Sequence, residues 1–179
     1  MERMILAIVM LMASIFMGCT GIPNGMEPVE DFDVKRYLGK WYEIARLDHR
    51  FERDLSNVSA TYSPRTPDGI TVVNRGYDVK KDKWESIEGV ARFMGDENIG
   101  SLKVSFFGPF YGGYHIVDLD KQNYSYSMVV GPDRSYFWIL SRDRKMEVAE
   151  YKRLVKKAEN MGIDTEKLIL VDQRLPENK

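Results

Sequence analysis

Few residues in this chain have the chemistry of a catalyst. The nucleophile and base candidates are Cys19, His49 and His115, the only cysteine and the only two histidines in 179 residues. Nucleophilic catalysis needs a Ser or Cys beside a His that a third group orients, and no Gly-X-Ser-X-Gly elbow occurs. Metal binding needs several His, Cys or carboxylate ligands at matched spacing, which two isolated histidines do not supply. No glycine-rich phosphate loop is present either. The expectation is a chain with no catalytic residues, no metal and no cofactor. His49, in Asp48-His49-Arg50-Phe51, reads as a solvated loop residue. An acyl hydrolase using His49 or His115 has little support.

The position of Cys19 says more than its reactivity. It follows an apolar run, Ile5 to Met17, with Glu2 and Arg3 ahead of it and Gly18 between. That run is shorter than the roughly 20 residues needed to cross a bilayer and fits a signal-peptide apolar region. The stretch Phe16-Met17-Gly18-Cys19 resembles a bacterial lipoprotein signal, with residues 1–18 removed and Cys19 acylated as the mature N-terminus. The family usually has Leu where Phe16 stands. Thr20 follows the cysteine rather than Asp, which by analogy with enterobacterial sorting implies the outer membrane. Two or three acyl chains anchor stably, at about 0.8 kcal/mol per buried methylene, where one does not.

The elements come next. Without the leader about 161 residues remain, enough for one well-filled core. Lys+Arg number 26 and Asp+Glu 27, so no global field argues for nucleic acid as a partner. Residues 19–33 are rich in Gly, Pro, Asn and acidic residues without periodicity and read as a tether to the membrane. Eight segments of apolar-polar alternation follow: Trp41 to Leu47, Val58 to Ser63, Gly69 to Tyr77, Trp84 to Phe93, Leu102 to Phe107, Tyr114 to Asp118, Tyr124 to Val130 and Tyr136 to Ser141. Turn residues such as Gly108-Pro109 and Gly131-Pro132-Asp133 separate them. The gaps leave no room for crossover helices, so the strands are antiparallel. Asp143 to Met161 has apolar residues at helical spacing before Gly162, and Leu168 to Val171 reads as a short final strand. Sequential hairpins favour an all-β, eight-stranded antiparallel up-and-down barrel over residues 34–175, with one C-terminal α-helix.

Gly39-Lys40-Trp41-Tyr42 opening the first strand and Ile139-Leu140-Ser141-Arg142 closing the eighth resemble the first and third motifs of the lipocalin family. The runs Phe32 to Arg46, Phe106 to Tyr114 and Gly131 to Arg134 are similar to its bacterial outer-membrane lipoprotein branch. The family's second motif, normally Thr-Asp-Tyr, is degenerate here as Leu119-Asp120 with Tyr124 beyond. The resemblance implies a lipid-anchored protein that stores or carries fatty acids or lysophospholipids in a barrel cavity for envelope maintenance. In physical terms, Trp41 plugs one barrel end and Arg142 lies across its indole, a cation-π contact of roughly 0.5 to 2 kcal/mol. Gly39 permits the close chain approach ahead of the Trp.

Alternation assigns the ligand face, because successive side chains point to opposite sides. From Trp41 the parity takes Glu43 and Ala45 inward, and from Arg142 it takes Leu140, Trp138 and Tyr136. The other expected lining residues are Val58, Ala60, Tyr62, Asn74, Phe93, Val104 and Phe106, with Tyr114 and His115 competing on the sixth strand. Ser127 and Val129 face in, leaving Tyr126, Met128 and Val130 for the helix outside. This mixture suits an apolar chain with an occasional hydrogen bond. The alternative is a filled barrel, a structural or interaction lipoprotein acting through its rim loops. Arg46, Arg50, Arg53 and Arg134 are candidates either for a basic cluster at the open end or, equally, for a solvated rim with Asp48, Glu52 and Asp54 close by, while Phe110 and Tyr111 are expected to pack beneath their loop.

Overall fold

Each short alternating segment has one apolar face and a row of backbone groups that need partners on both sides. A sheet closed on itself meets both demands at once. The computed structural model describes residues 20–67 and 69–175, so the expected leader and the lipidation site Cys19 lie outside the described residues. The strands are β1 (Gly39–Arg46), β2 (Leu55–Pro64), β3 (Ile70–Asp78), β4 (Lys83–Phe93), β5 (Ser101–Phe107), β6 (Phe110–Leu119), β7 (Tyr126–Val130) and β8 (Phe137–Ser141). Each pairs antiparallel with the next. The barrel closes because β1 pairs β2 through Gly39–Tyr42 and β8 through Tyr42–Arg46. A two-residue β9 (Ile169–Leu170) extends the sheet beyond β1.

Two apolar clusters divide the interior from the outer wall. One fills the barrel around Trp41, Tyr62, Val72, Ala91, Leu102, Ile116, Val129 and Leu140. The other lies outside, between Met128, Val130, Phe137 and Ile139 of the β7–β8 wall and Leu154 and Ala158 of the long helix. Here α1 is the single turn Val34–Tyr37 ahead of β1, and α2 is the long helix Val148–Asn160. The helix starts later than its periodicity predicts. Before it, Asp143 N–H bonds Ser141 Oγ, and Arg144 donates to the Gln173 and Leu175 carbonyls. Gly162, at φ +79°, ends it in the left-handed region that favours glycine.

The stretch expected to be a tether is packed against the barrel. Thr20 O accepts from His115, and Asn24 O from Arg134. Val29 pairs by backbone with Ile116 and Gly100, and Met26 and Phe32 are buried. Its Ile22, Met26, Val29 and Phe32 supply the reason: they are apolar enough to cover β6 and the barrel floor, whatever the Gly and Pro content around them.

Candidate ligand chamber

The floor is built from α1 and the two ends of the β1–β8 pair. Trp41 is fully buried, its Nε1 donates to Tyr37 O at 2.8 Å, and the Arg142 guanidinium lies 3.9 Å from the centre of the ring. Arg142 also donates to the carbonyls of Lys40 (2.9 Å), Arg36 (2.7 Å), Tyr37 (3.2 Å) and Tyr124 (3.3 Å). One side chain thus ties the turn of α1, the start of β1 and the β6–β7 loop together. Gly39, at φ +95°, would bring a Cβ within 3.3 Å of Arg142 Nη1, so a side chain there is disfavoured by both backbone and space.

Above the indole stands a chain of hydroxyls. Tyr37 OH lies 2.7 Å from Tyr114 OH and 3.2 Å from Ser127 Oγ, and Tyr62 OH lies 2.8 Å from Tyr114 OH. Burial pushes Tyr37 up to about 12 and holds Tyr62 and Tyr114 well above the ordinary phenol range. All of them stay protonated. Four hydroxyls bring four O–H donors to three contacts, so one proton remains for an acceptor beyond the group.

The wall above has an apolar lining. Ala60, Val104, Phe106 and Trp138 pack against the interior cluster yet are only half-buried. An inward side chain that keeps accessible surface borders space that water can reach. The Phe106 ring lies over Gly89, where a Cβ would meet it at 2.7 Å, and buried Val58 lies over Gly76. Asn74 Oδ1 is buried in the wall without a hydrogen-bond partner among the described residues, an uncompensated acceptor that a ligand donor or water would satisfy.

The mouth carries charge. Arg46 Nη1 donates to Glu43 Oε1 at 2.7 Å, and Nη2 to the carbonyls of Glu52 and Leu55. Glu52 Oε2 accepts from Trp138 Nε1 at 3.0 Å and lies 3.0 Å from His49 Nε2. Burial, followed by the neighbouring Glu52, raises Glu43 well above the ordinary carboxylate value. Burial acts the same way on Glu52, but the His49 hydrogen bond and charge, Trp138 N–H and Arg46 together bring it below that value. One guanidinium between two buried carboxylates thus goes with their titrations being driven apart, Glu52 downward and Glu43 upward.

Of the residues expected to line the chamber, the structure turns Val58, Ala60, Tyr62, Asn74, Phe93, Val104, Phe106, Tyr114, Trp138 and Leu140 toward the interior. Tyr136 sits at the mouth, its ring 5.6 Å from His49 and 6.4 Å from Trp138. Two placements are corrected. A bulge between Glu43 and Ala45 adds a residue to β1, so Ala45 pairs with Ile139 and joins the outer cluster, while Arg46 pairs with Trp138. His115 pairs with Ser101 on the outer face and bonds Ser101 Oγ and Thr20 O, because Tyr114 beside it shares the inner face with Leu102.

Two other expectations change as well, those for His49 and Phe110. His49 is only 7 % exposed and stacks among aromatics rather than lying in solvent. Of the arginines that could gather at the open end or stand in a solvated rim, Arg53 pairs with Asp48 as the rim reading has it, Arg46 turns inward, and Arg134 binds Met161 O at the end of α2. Phe110 is exposed rather than buried beneath its loop. Sequence reasoning missed Glu52 and Tyr37 as chamber residues. Glu52 carries no periodic signal, and Tyr37 lies in the single turn ahead of β1, where neither the helical nor the strand period assigns a face.

Known proteins place this architecture. Residues 32–173 match the lipocalin-like domain family. The chain is 47 % identical to the outer membrane lipoprotein Blc of Vibrio cholerae over 169 residues, covering 94 % of this chain and 99 % of that protein. It is 49 % identical to the outer membrane lipoprotein Blc of Escherichia coli K12 over 151 residues, covering 84 % and 85 %. Among solved structures, insecticyanin of the tobacco hornworm Manduca sexta superposes with a TM-score of 0.67 at 24 % identity, covering 88 % of each chain. The chain therefore belongs to the lipocalin family, in its branch of bacterial outer-membrane lipoproteins.

Proposed function

We propose that this lipocalin is anchored through acylated Cys19, after removal of residues 1–18, and carries a fatty acid or lysophospholipid in its barrel for envelope maintenance. The observation that carries the reading is the half-buried apolar wall of Ala60, Val104, Phe106 and Trp138 between a sealed floor and a polar mouth. Burying about 12 methylenes contributes about 10 kcal/mol gross at about 0.8 kcal/mol each. Lost translational and chain freedom offsets several of these, which leaves micromolar to high-nanomolar affinity. Glu52 and Arg46 oppose each other at the mouth, so specificity rests on the tail more than on the charge of the head group. Membership in a family of binding proteins supports carriage rather than catalysis.

Delipidated protein titrated with a fluorescent fatty acid tests the proposal. The expected result is saturable binding with quenching of tryptophan emission that weakens in Trp138→Ala. Absence of binding at concentrations on the order of tens of micromolar would overturn it and leave a filled barrel acting through its rim.

A further inference from the structure

The chain leaves the barrel toward its N-terminus at a fixed point. Thr20 O accepts a 2.9 Å hydrogen bond from His115 Nε2, and His115 is 1 % exposed, its Nδ1 2.9 Å from Ser101 Oγ. A carbonyl only accepts, so Nε2 carries the proton and Nδ1 receives the serine hydroxyl. Gly113 makes the approach possible: a Cβ there would stand 2.8 Å from Thr20 O. The rest of the segment is held by Arg134 on Asn24 O and by the Val29 pairing with Ile116 and Gly100. No slack lies between Thr20 and the barrel wall.

Cys19 is one residue further, a reach of about 3.8 Å. Gly113 is three residues from Phe110 at the open end of β6, about 10 Å along the strand, and six from Leu119 at the floor end, about 20 Å. A lipid attached at Cys19 therefore meets the bilayer beside the open half of the barrel. Two features of the same end suit a membrane surface. Phe107, Phe51 and Val79 on the open-end loops and strand ends are 65 %, 59 % and 56 % exposed, an apolar rim of the kind that inserts at an interface. Lys103 pairs across the sheet with Gly113, and Arg92 with Lys103, which sets two cations next to the strap for anionic head groups.

Resting on the acylation of Cys19, we infer that the strap from His115 to Thr20 holds the barrel mouth against the bilayer that bears the anchor, with Phe107 at the lipid interface. Cargo would then pass between chamber and membrane without the protein leaving its surface.

The test uses the full-length acylated protein in vesicles of phosphatidylethanolamine and phosphatidylglycerol. With Cys19 acylated no other thiol remains, so single cysteines in Phe107→Cys and, at the floor end, Glu97→Cys take an environment-sensitive fluorophore at one site each. The expected result is a blue-shifted label at 107 that doxyl-labelled lipids quench, and a water-like label at 97. Adding His115→Ala should weaken the quenching at 107 while the protein still floats with the vesicles and keeps its near-ultraviolet dichroism. A water-like label at 107 on protein that floats overturns this inference alone. Failure to float, compared with Cys19→Ser, overturns the anchor as well. A blue shift at 107 without lipid quenching means that a second copy covers the rim, which also overturns it.

Discussion

Replacing Arg142 tests the floor, on which the chamber depends. Arg142→Met keeps much of the stem but removes the guanidinium that stacks 3.9 Å from the Trp41 ring and donates to Lys40 O and Arg36 O at 2.9 and 2.7 Å. The half-exposed stacking is worth about 1 kcal/mol. The two short hydrogen bonds contribute about 1 kcal/mol each, at the modest end for a charged donor because water reaches that side. The weaker contacts to Tyr37 O and Tyr124 O add little. The total is about 3 kcal/mol, or a fall in Tm of about 6 to 12 °C for a domain of this size. Arg142→Lys discriminates further. An ammonium keeps the charge and can stack, but it cannot reach all four carbonyls as a planar fork does, so the lysine variant should recover only about 1 kcal/mol. Urea unfolding followed by circular dichroism measures both, with m unchanged if the native state is intact. A lysine variant as stable as the parent, or a methionine variant within about 0.5 kcal/mol of it, would refute the claim that this side chain ties α1, β1 and the β6–β7 loop.

Three further substitutions read the polar groups of the chamber. Tyr114→Phe leaves the Tyr37 and Tyr62 hydroxyls without their shared partner and should cost about 1 to 3 kcal/mol, measured by the same unfolding. Glu43→Gln reads the mouth through pH. A carboxyl with a raised folded-state pKa contributes stability that is whole below the unfolded value of 4.5 and lost as pH rises toward the folded pKa. The glutamine variant, which does not titrate, should therefore gain on the parent by about 1.4 kcal/mol per pH unit above 4.5 until that pKa is reached. Glu52→Gln should behave oppositely, because a lowered pKa gives the parent an advantage above 4.5 that fades as pH falls. Urea midpoints above pH 4.5 decide for Glu43 and those below it, down to about pH 3, for Glu52, and a Glu43→Gln variant that loses ground as pH rises would mean that Glu43 is the ionised partner of Arg46.

Local signals carried most of the fold. Alternation placed all eight strands, and two short motifs identified Trp41 and Arg142 as partners though they lie at opposite ends of the barrel sequence. Parity carried most inward residues too, but it fails wherever a strand gains a residue. The bulge at Glu43/Ala45 exchanges Ala45 for Arg46 on the inner face, and nothing in Glu43-Ile44-Ala45-Arg46 marks it, since Ile44 and Ala45 both bury against the outer cluster. His115 was open for a different reason. Both of its faces are buried, one by the barrel and one by the returning N-terminal segment, so Tyr114-His115-Ile116-Val117 shows no polar side. Partnership across the sheet resolves it, because Leu102 can share a face with Tyr114 or His115 but not with both.

The mouth lies furthest from what a sequence displays. Glu43, Arg46, His49 and Glu52 come from a strand end and the loop after it, and they meet because the loop folds back over Trp138. Loop polarity reads as solvation when each residue is taken alone. Among the six ionisable residues from Glu43 to Glu52, these four nevertheless supply one guanidinium, two carboxylates and an imidazole, a set able to satisfy itself once removed from water. The bulge makes that removal possible. Without the extra residue in β1, Arg46 would point out of the barrel, Glu43 would face the chamber with no cation beside it, and Glu52 would lose a donor. The irregularity that spoils the parity reading is thus the one that turns a guanidinium into the mouth beside its two carboxylates, a re-aiming of a side chain that bulges commonly produce.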